Sequence, residues 1–313
     1  MHVSDRIGRR MKLHDLHVLM AVVQAGGMGR AARQLNTSQS AISRSIAELE
    51  NAFGVRLLDR SRQGVEPTQY GRALLGCGAA VFDELRQGVK SIEFLTDPTV
   101  GEIRVAGNEH IVAGLIASTY GRLRRKYPGI AIDVISVRSL SEQHRHLRER
   151  KVDIAIGPIA PSDEDDILTK SLFHDRIVTV AGSKSRWVRR RKVELSELAD
   201  EPWVLPPLDS SFAVLIAEAF HAGGIRFPPR GFARGSVHLN CALVASGSFL
   251  GVLPGSLLRF GVSLPSLKIL PIELPTPPLP VGIMTLKHRT ISPVVQLFID
   301  CVRELAKPLA YRG

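Results

Sequence analysis

The sequence predicts two folds in one chain: a small, mainly helical N-terminal unit closed by a β-hairpin, then a larger α/β unit in two parts. Three observations predict it. Residues 12–66 hold three short amphipathic helical patterns and a Gly-containing pair of strands. From residue 98 onward short apolar strands alternate with helical stretches. At 313 residues the chain also exceeds the size at which a single core stops growing.

In the N-terminal unit Leu16, Leu19, Met20 and Val23 fall at i, i+3, i+4 and i+7, the stripe of an amphipathic helix that Gly26-Gly27 ends. A second helix near Gly29–Leu35 presents Ala31, Ala32 and Leu35. The turn Asn36-Thr37-Ser38 follows, with Thr37 or Ser38 placed to cap a third helix, on which Ile42, Ile46 and Leu49 share a face. Gly54 stops that helix. Leu57-Leu58 and Arg60–Val65 then read as two short strands around a turn. Two helices joined by a tight turn, with a hairpin behind them, make a winged helix-turn-helix, which sets its second helix in the major groove of DNA. With Ile42 and Ile46 turned inward, Ser38, Gln39, Ser40, Ser43 and Arg44 form the outer face, which taken alone reads either as a DNA-reading surface or as a polar solvent face. Gln pairs with adenine and Arg with guanine in bidentate fashion, and Ser serves base or phosphate. Arg60, Arg62 and Thr68 are placed to grip phosphate.

Residues 68–97 form a linker. Leu74, Val81, Leu85 and Ile92 recur at spacings of seven, four and seven, an a/d-like seam with no adjacent helix in sequence to cover it. Pairing with a second chain is one reading, and packing on its own domain is the other.

Beyond Asp97-Pro98 the strands 101–107, 130–137 and 152–157 alternate with helices near 111–126 and 140–150, indicating a parallel sheet covered on both faces. A second part adds a strand at 177–181, helices at 212–222 and 239–245, and a strand at 250–253. The Pro-rich run Leu274–Pro280 is extended, and the strand 281–286 and helix 293–307 return to the first part. The expected division is residues 1–67, 68–97 and 98–313. Within the last, subdomain I covers about 98–170 and 277–313, and subdomain II about 171–276. Ligands of such sheets bind beyond the carboxyl ends of strands. That selects Asn108, Glu109 and His110, then Ser139 and Leu140, and across the cleft Pro207, Asp209, Ser210 and Ser211. Any one of these polar residues serves equally well as a cap or turn residue. Glu109 and Asp209 oppose an anionic ligand and leave room for a polyol or sugar.

Charge and composition are permissive. The net charge is +11, of which residues 1–67 carry +4, and basic clusters also stand at 122–126, 145–151 and 189–192. Such runs read first as solvated faces, so charge alone permits a polyanionic partner without establishing one. No apolar run approaches the roughly 18–20 residues that span a bilayer, and the N-terminus has no secretory h-region. Cys77, Cys241 and Cys301 lack metal-ligand spacing and read as reduced thiols of a cytoplasmic protein. The sequence therefore predicts no membrane partner, no metal and no cofactor. His110, His174, His238 and Asp153 are the residues from which a catalytic triad would have to come. No GxSxG, P-loop, HExxH or GxGxxG accompanies them, so an enzyme is not expected. A solute-binding protein for a transporter fits the C-terminal half but leaves the N-terminal unit without a purpose.

The run Leu16-x-x-Leu19-Met20-Ala21-Val22-Val23-x-Ala25-Gly26-Gly27-Met28-x-Arg30-Ala31-Ala32-x-x-Leu35-x-x-Ser38-Gln39-x-Ala41-Ile42-Ser43-x-x-Ile46-x-x-Leu49-Glu50-x-x-x-Gly54-x-x-Leu57-Leu58-x-Arg60 resembles the signature of the LysR-type transcriptional regulators. So does its continuation, Arg62-Gln63-Gly64-Val65-x-x-Thr68-x-x-Gly71. The resemblance implies a regulator of promoter activity that binds double-stranded DNA, with RNA polymerase as a further partner. It implies a homodimer or homotetramer joined through the linker helix, and an effector domain of two subdomains like those of periplasmic binding proteins, with a small molecule between them. The stretch from Trp203 to Phe212 resembles members that sense sugars or aromatic catabolites. The chain departs from the family at 26–29, where Gly26-Gly27-Met28-Gly29 stands in place of a Gly-Ser-Phe-Thr-like run. It also has Leu19 where an aromatic is usual and Leu58 in place of Phe. The apolar exchanges keep hydrophobic character, whereas the lost hydroxyls remove a helix cap and a phosphate contact.

Overall fold

The computed structural model describes residues 11–61, 64–160, 165–206, 211–225, 236–260 and 265–310. The chain divides into two compact units, residues 1–87 and 88–313.

The first unit contains α1 (Leu13–Ala25), α2 (Met28–Gln34), α3 (Gln39–Phe53), β1 (Leu58–Ser61), β2 (Gly64–Pro67) and the start of the long helix α4 (Gln69–Thr96). Leu19, Val22, Ala31, Ile42, Ile46, Leu49 and Leu57 are the centre of its core. The buried stripe of α1 includes Val18 and Val22, while Met20 and Val23 are only half-buried. Gly26 ends α1 in the left-handed region at φ 67°, and Gly54 ends α3 at φ 71°, conformations that glycine adopts without a Cβ penalty. Ser38 caps α3, its hydroxyl accepting the Ala41 N–H at 3.1 Å. The Glu50 carboxylate accepts the Leu57 and Leu58 N–H groups at 2.8 and 3.2 Å, which fixes where the hairpin leaves α3. β1 and β2 pair antiparallel with Ser61 opposite Gly64. Gly71 opens α4 with its Cα against the Leu57 carbonyl oxygen, where a Cβ would overlap that atom.

The second unit holds two sheets. The first has the order β4 (Gly129–Ser136), β3 (Val100–Gly107), β5 (Ile154–Pro158), β11 (Leu279–Leu286), β6 (Ile167–Asp175). The second has the order β10 (Leu267–Ile269), β7 (Ile177–Gly182), β9 (Leu250–Pro254), β8 (Trp203–Val204). The parallel alignment expected of the strands at 101–107, 130–137 and 152–157 is present, and the full sheet to which they belong is mixed. β3 is parallel to β4 and β5, but β11 runs antiparallel to both β5 and β6. In the second sheet β7 runs antiparallel to β9 and β10, and β8 is parallel to β9. The reason lies in the connections. Only Arg176 separates β6 from β7, and the chain comes back through the extended stretch Leu270–Pro278 straight into β11, so neither passage contains the helical crossover that a parallel pair requires.

β6 was not expected as a strand, because its burial pattern exposes most of its side chains and blurs the period-2 signal. It extends the first sheet to Asp175, beyond the expected subdomain boundary near 170. Helix α5 runs through Glu109–Ile111, a π-helical segment Val112–Ile116 and Ala117–Lys126. Together with α10 (Pro293–Ala310) it covers the first sheet, burying Ile103, Val105, Leu115, Phe298 and Val302. α6 (Leu140–Arg148) covers the other face through Leu147. In the second sheet α7 (Ser211–Ala222) brings Phe220 edge-on to Trp203 at 5.0 Å, and the Trp203 indole N–H donates to the Leu198 carbonyl at 2.9 Å. α8 (Val237–Ala245) and α9 (Gly255–Phe260) complete that part.

Below the first sheet, at the amino end of β5, Asp153 gathers three cations. It meets Arg104 at 2.7 Å, Arg289 at 2.8 Å and Lys90 of α4 at 3.4 Å. Burial alone would raise this carboxyl, but the Arg104 hydrogen bonds and the charges of Lys90 and Arg104 prevail and hold it at about 2.

Candidate nucleic-acid interface and effector cleft

The outer face of α3 is built as its sequence suggests, with two qualifications. Gln39, Ser40 and Arg44 are exposed near its N-terminus. Ser38 shares a hydrogen bond with the Ser40 hydroxyl at 2.9 Å besides capping the helix. Ser43, by contrast, is half-buried and donates to the Met28 sulfur at 3.2 Å, so its hydroxyl faces α2. Thr68 donates to the Arg56 carbonyl at 2.8 Å and accepts the Gly71 N–H at 3.1 Å, which makes it the cap of α4. Arg60 is exposed on β1, and Arg62 lies outside the described residues.

Between α2 and the hairpin lies a concave pocket lined by Gly26, Gly27, Gly29, Arg30, Arg33, Arg60 and Ser61, which sequence reasoning did not single out. Three guanidinium groups around a glycine-lined hollow suit an anion. Gly27 is the N-cap of α2 and provides no side-chain cap bond, the expected effect of the missing hydroxyl. Arg30 reaches backward instead, donating to the Ala25 carbonyl and, at 2.6 Å, to the Gly26 carbonyl, where it satisfies the C-terminal end of α1. The signal for this pocket was legible in retrospect: a glycine run directly before an arginine, opposite Arg60 of the hairpin.

Along α4 an apolar stripe faces outward. Tyr70, Val81, Leu85, Val89, Ile92 and Leu95 are exposed, Ile92 by 66% and Leu95 by 79%. An unpartnered stripe of this kind is the sort of surface that helix pairing covers.

In the second unit the carboxyl ends of β3, β4 and β5 come together. Asn108 precedes α5 and accepts the Gln143 side-chain amide at 2.7 Å. Gly157 of β5 permits this pair, since a Cβ there would overlap both side chains. His110 is pushed down to about 4 by burial and is neutral at neutral pH. Burial, followed by the charge of Glu109, raises the Cys241 thiol of α8. Ser118 of α5 also donates to the Phe260 carbonyl of α9. Ser139 caps α6 through the Glu142 N–H at 3.2 Å, and Leu140 begins that helix half-buried. Ser211 begins α7, while Pro207, Asp209 and Ser210 lie outside the described residues. Gln143, fully buried at the centre of the strand ends, was not anticipated; only its position one turn into α6 hinted at it. No helix among the described residues is long and apolar enough to cross a membrane.

Residues 13–72 match the family described as bacterial regulatory helix-turn-helix protein, lysR family, and residues 96–307 match the LysR substrate binding domain. The regulator YdcI of Escherichia coli K12, itself uncharacterized, is 24% identical over 304 residues, covering 97% of this chain and 99% of its own. Among solved structures, ArgP from Mycobacterium tuberculosis is 20% identical with a TM-score of 0.68, over 96% of this chain and 98% of its own. CbnR complexed with its target DNA is 22% identical with a TM-score of 0.53, over 95% of this chain and all of its own. The chain belongs to the LysR family of transcriptional regulators, DNA-binding proteins that carry an effector-binding domain.

Proposed function

We propose that α3 enters the major groove of promoter DNA with Gln39, Ser40 and Arg44 toward the base edges. Arg60 and the pocket of Arg30 and Arg33 hold the adjacent phosphates. The observation that carries this reading is the exposure of those three side chains on a helix whose N-terminus is capped from within. Two copies pair through the exposed stripe of α4, as a two-fold operator requires. A small effector binds where Asn108, Glu109 and His110 meet the strand ends, and it acts through its different affinities for two arrangements of the domain. The protein works in the cytoplasm, where promoter DNA and RNA polymerase meet.

Footprinting of the purified protein on the DNA upstream of its own gene, at two salt concentrations, tests the reader. The expected result is protection of a partly palindromic site, weakened by salt and lost in Arg44→Ala. Diffuse binding without a protected site, equal in wild type and variant, would overturn it.

A further inference from the structure

Resting on the reading that the ends of β3, β4 and β5 line the effector cleft, we propose that this cleft takes a neutral or cationic ligand rich in hydroxyl or amino donors, and not a carboxylate. Hydrogen-bond bookkeeping among the described residues carries the inference. Several donors that would greet an anion are already engaged, although the first-turn N–H groups of α5 receive no side-chain cap from Asn108. At α6 the Glu142 N–H goes to the Ser139 hydroxyl at 3.2 Å, and the Arg138 N–H goes to the Glu142 carboxylate at 2.8 Å. Across the cleft the Ser236 hydroxyl caps α8 by accepting the Leu239 N–H at 3.2 Å. The positive end of the α5 dipole carries its own carboxylate, Glu109, in the first turn. Gln143 gives its amide to Asn108 Oδ1.

The acceptors, in contrast, are left over. Gln143 is fully buried, and its Oε1 has no hydrogen-bond partner. Asn240 Oδ1 on α8 is also buried without a partner, one residue from the Cys241 thiol that feels Glu109. A buried acceptor left unpaired is unfavourable, and a ligand that donates to it removes that cost. Charge points the same way, because Glu109 is negative and His110, lowered by burial, brings no compensating positive charge at neutral pH. Arg138 on the neighbouring loop is exposed to solvent. The π-helical segment Val112–Ile116 directly behind Glu109 and His110 is the kind of irregularity that collects at ligand sites.

The test is a titration of the full-length protein with a size-matched panel of polyols, primary amines and carboxylates that includes glucose, glucosamine and gluconate, read by calorimetry and thermal shift. Polyols or amines are expected to bind at least about tenfold tighter than their carboxylate counterparts. Gln143→Met should abolish that binding, with a native circular dichroism spectrum showing that the variant folds. Glu109→Gln, a change outside the buried amide pair, should weaken the amines selectively by about tenfold and spare the polyols. Carboxylates as the tightest binders, lost in Gln143→Met, would overturn the ligand class while leaving the cleft in place. Binding indifferent to both substitutions, or no binding by any panel member, would overturn the cleft reading and the proposal with it.

Discussion

Asp153 and Arg289 meet at 2.8 Å with both side chains almost completely buried, and the same guanidinium donates to the Val152 carbonyl at 2.6 Å. Arg104 and Lys90 stand on the other sides of that carboxylate. Removing the carboxylate leaves buried cations uncompensated, so Asp153→Ala should destabilise the second unit by about 3–5 kcal/mol in denaturant unfolding. Because its folded value is depressed to about 2, the contribution of Asp153 is present above about 4 and is lost as the pH falls through about 2. A wild-type unfolding profile flat between pH 4 and 2, after correction for other carboxylates, would contradict this.

His110 gives a pH dependence in a different window. Burial holds its folded value at about 4 against an ordinary 6.5, so stability is intact above 6.5 and declines as the pH drops toward 4. His110→Gln should flatten the melting temperature of the second unit between those limits. An unchanged slope in the variant would show that the imidazole is not responsible.

Gly27 stands at the N-cap of α2 in extended backbone that any residue adopts, and the nearest atom to an added Cβ is 3.7 Å away on Arg30. Gly27→Ser should therefore be accommodated, stabilise the first unit by a few tenths of a kcal/mol and tighten operator binding about threefold through one added hydrogen bond. Mobility-shift titration measures it, and weaker binding would mean that the hydroxyl disturbs Arg30.

Ile92 and Leu95 project from α4 with two-thirds or more of their surface in solvent. Ile92→Glu puts a charge in the stripe and should shift the protein toward monomer in light scattering, with helical content unchanged. Each apolar side chain buried in such a seam contributes about 1.5–3 kcal/mol, so one charge is enough to be seen. Assembly unaffected by the charge would place the interface elsewhere.

Arg60 tests the phosphate contacts independently of sequence readout. Arg60→Ala should weaken binding to all DNA sequences alike and reduce the salt dependence by about one ion. A change in base preference instead would move Arg60 among the readers.

Local rules made much of the first unit legible. Ser38 caps α3, Gly26 and Gly54 end their helices, and Ile42, Ile46 and Leu49 are buried where helical spacing places them. The inward turn of Ser43 was not legible, since the Met28 sulfur that receives it belongs to another helix. In the second unit the positions and parallel run of β3, β4 and β5 were readable, while the strand β6 and the direction of β11 were not. Alternating apolar runs reveal β5 and β11, but their antiparallel pairing depends on where the chain crosses between sheets. Gln143 stayed hidden for a related reason: an amide inside an amphipathic helix looks like a surface residue until Gly157 and Asn108 are brought beside it by strands far away in sequence.

The single-residue passage from β6 to β7 has a mechanical consequence. Leu279, at the start of the returning strand, pairs with Asp175, so both covalent links between the two sheets run side by side. Asp175 is tied there to the Arg176 and Ser256 N–H groups at 2.9 and 3.0 Å and to the Ser256 hydroxyl. Two adjacent ribbons resist stretching and sliding but yield to torsion about their common line. Torsion about the line through residues 175–177 and 279 is the movement that these two links themselves oppose least. A small angular change there would become a displacement that grows with distance from that line.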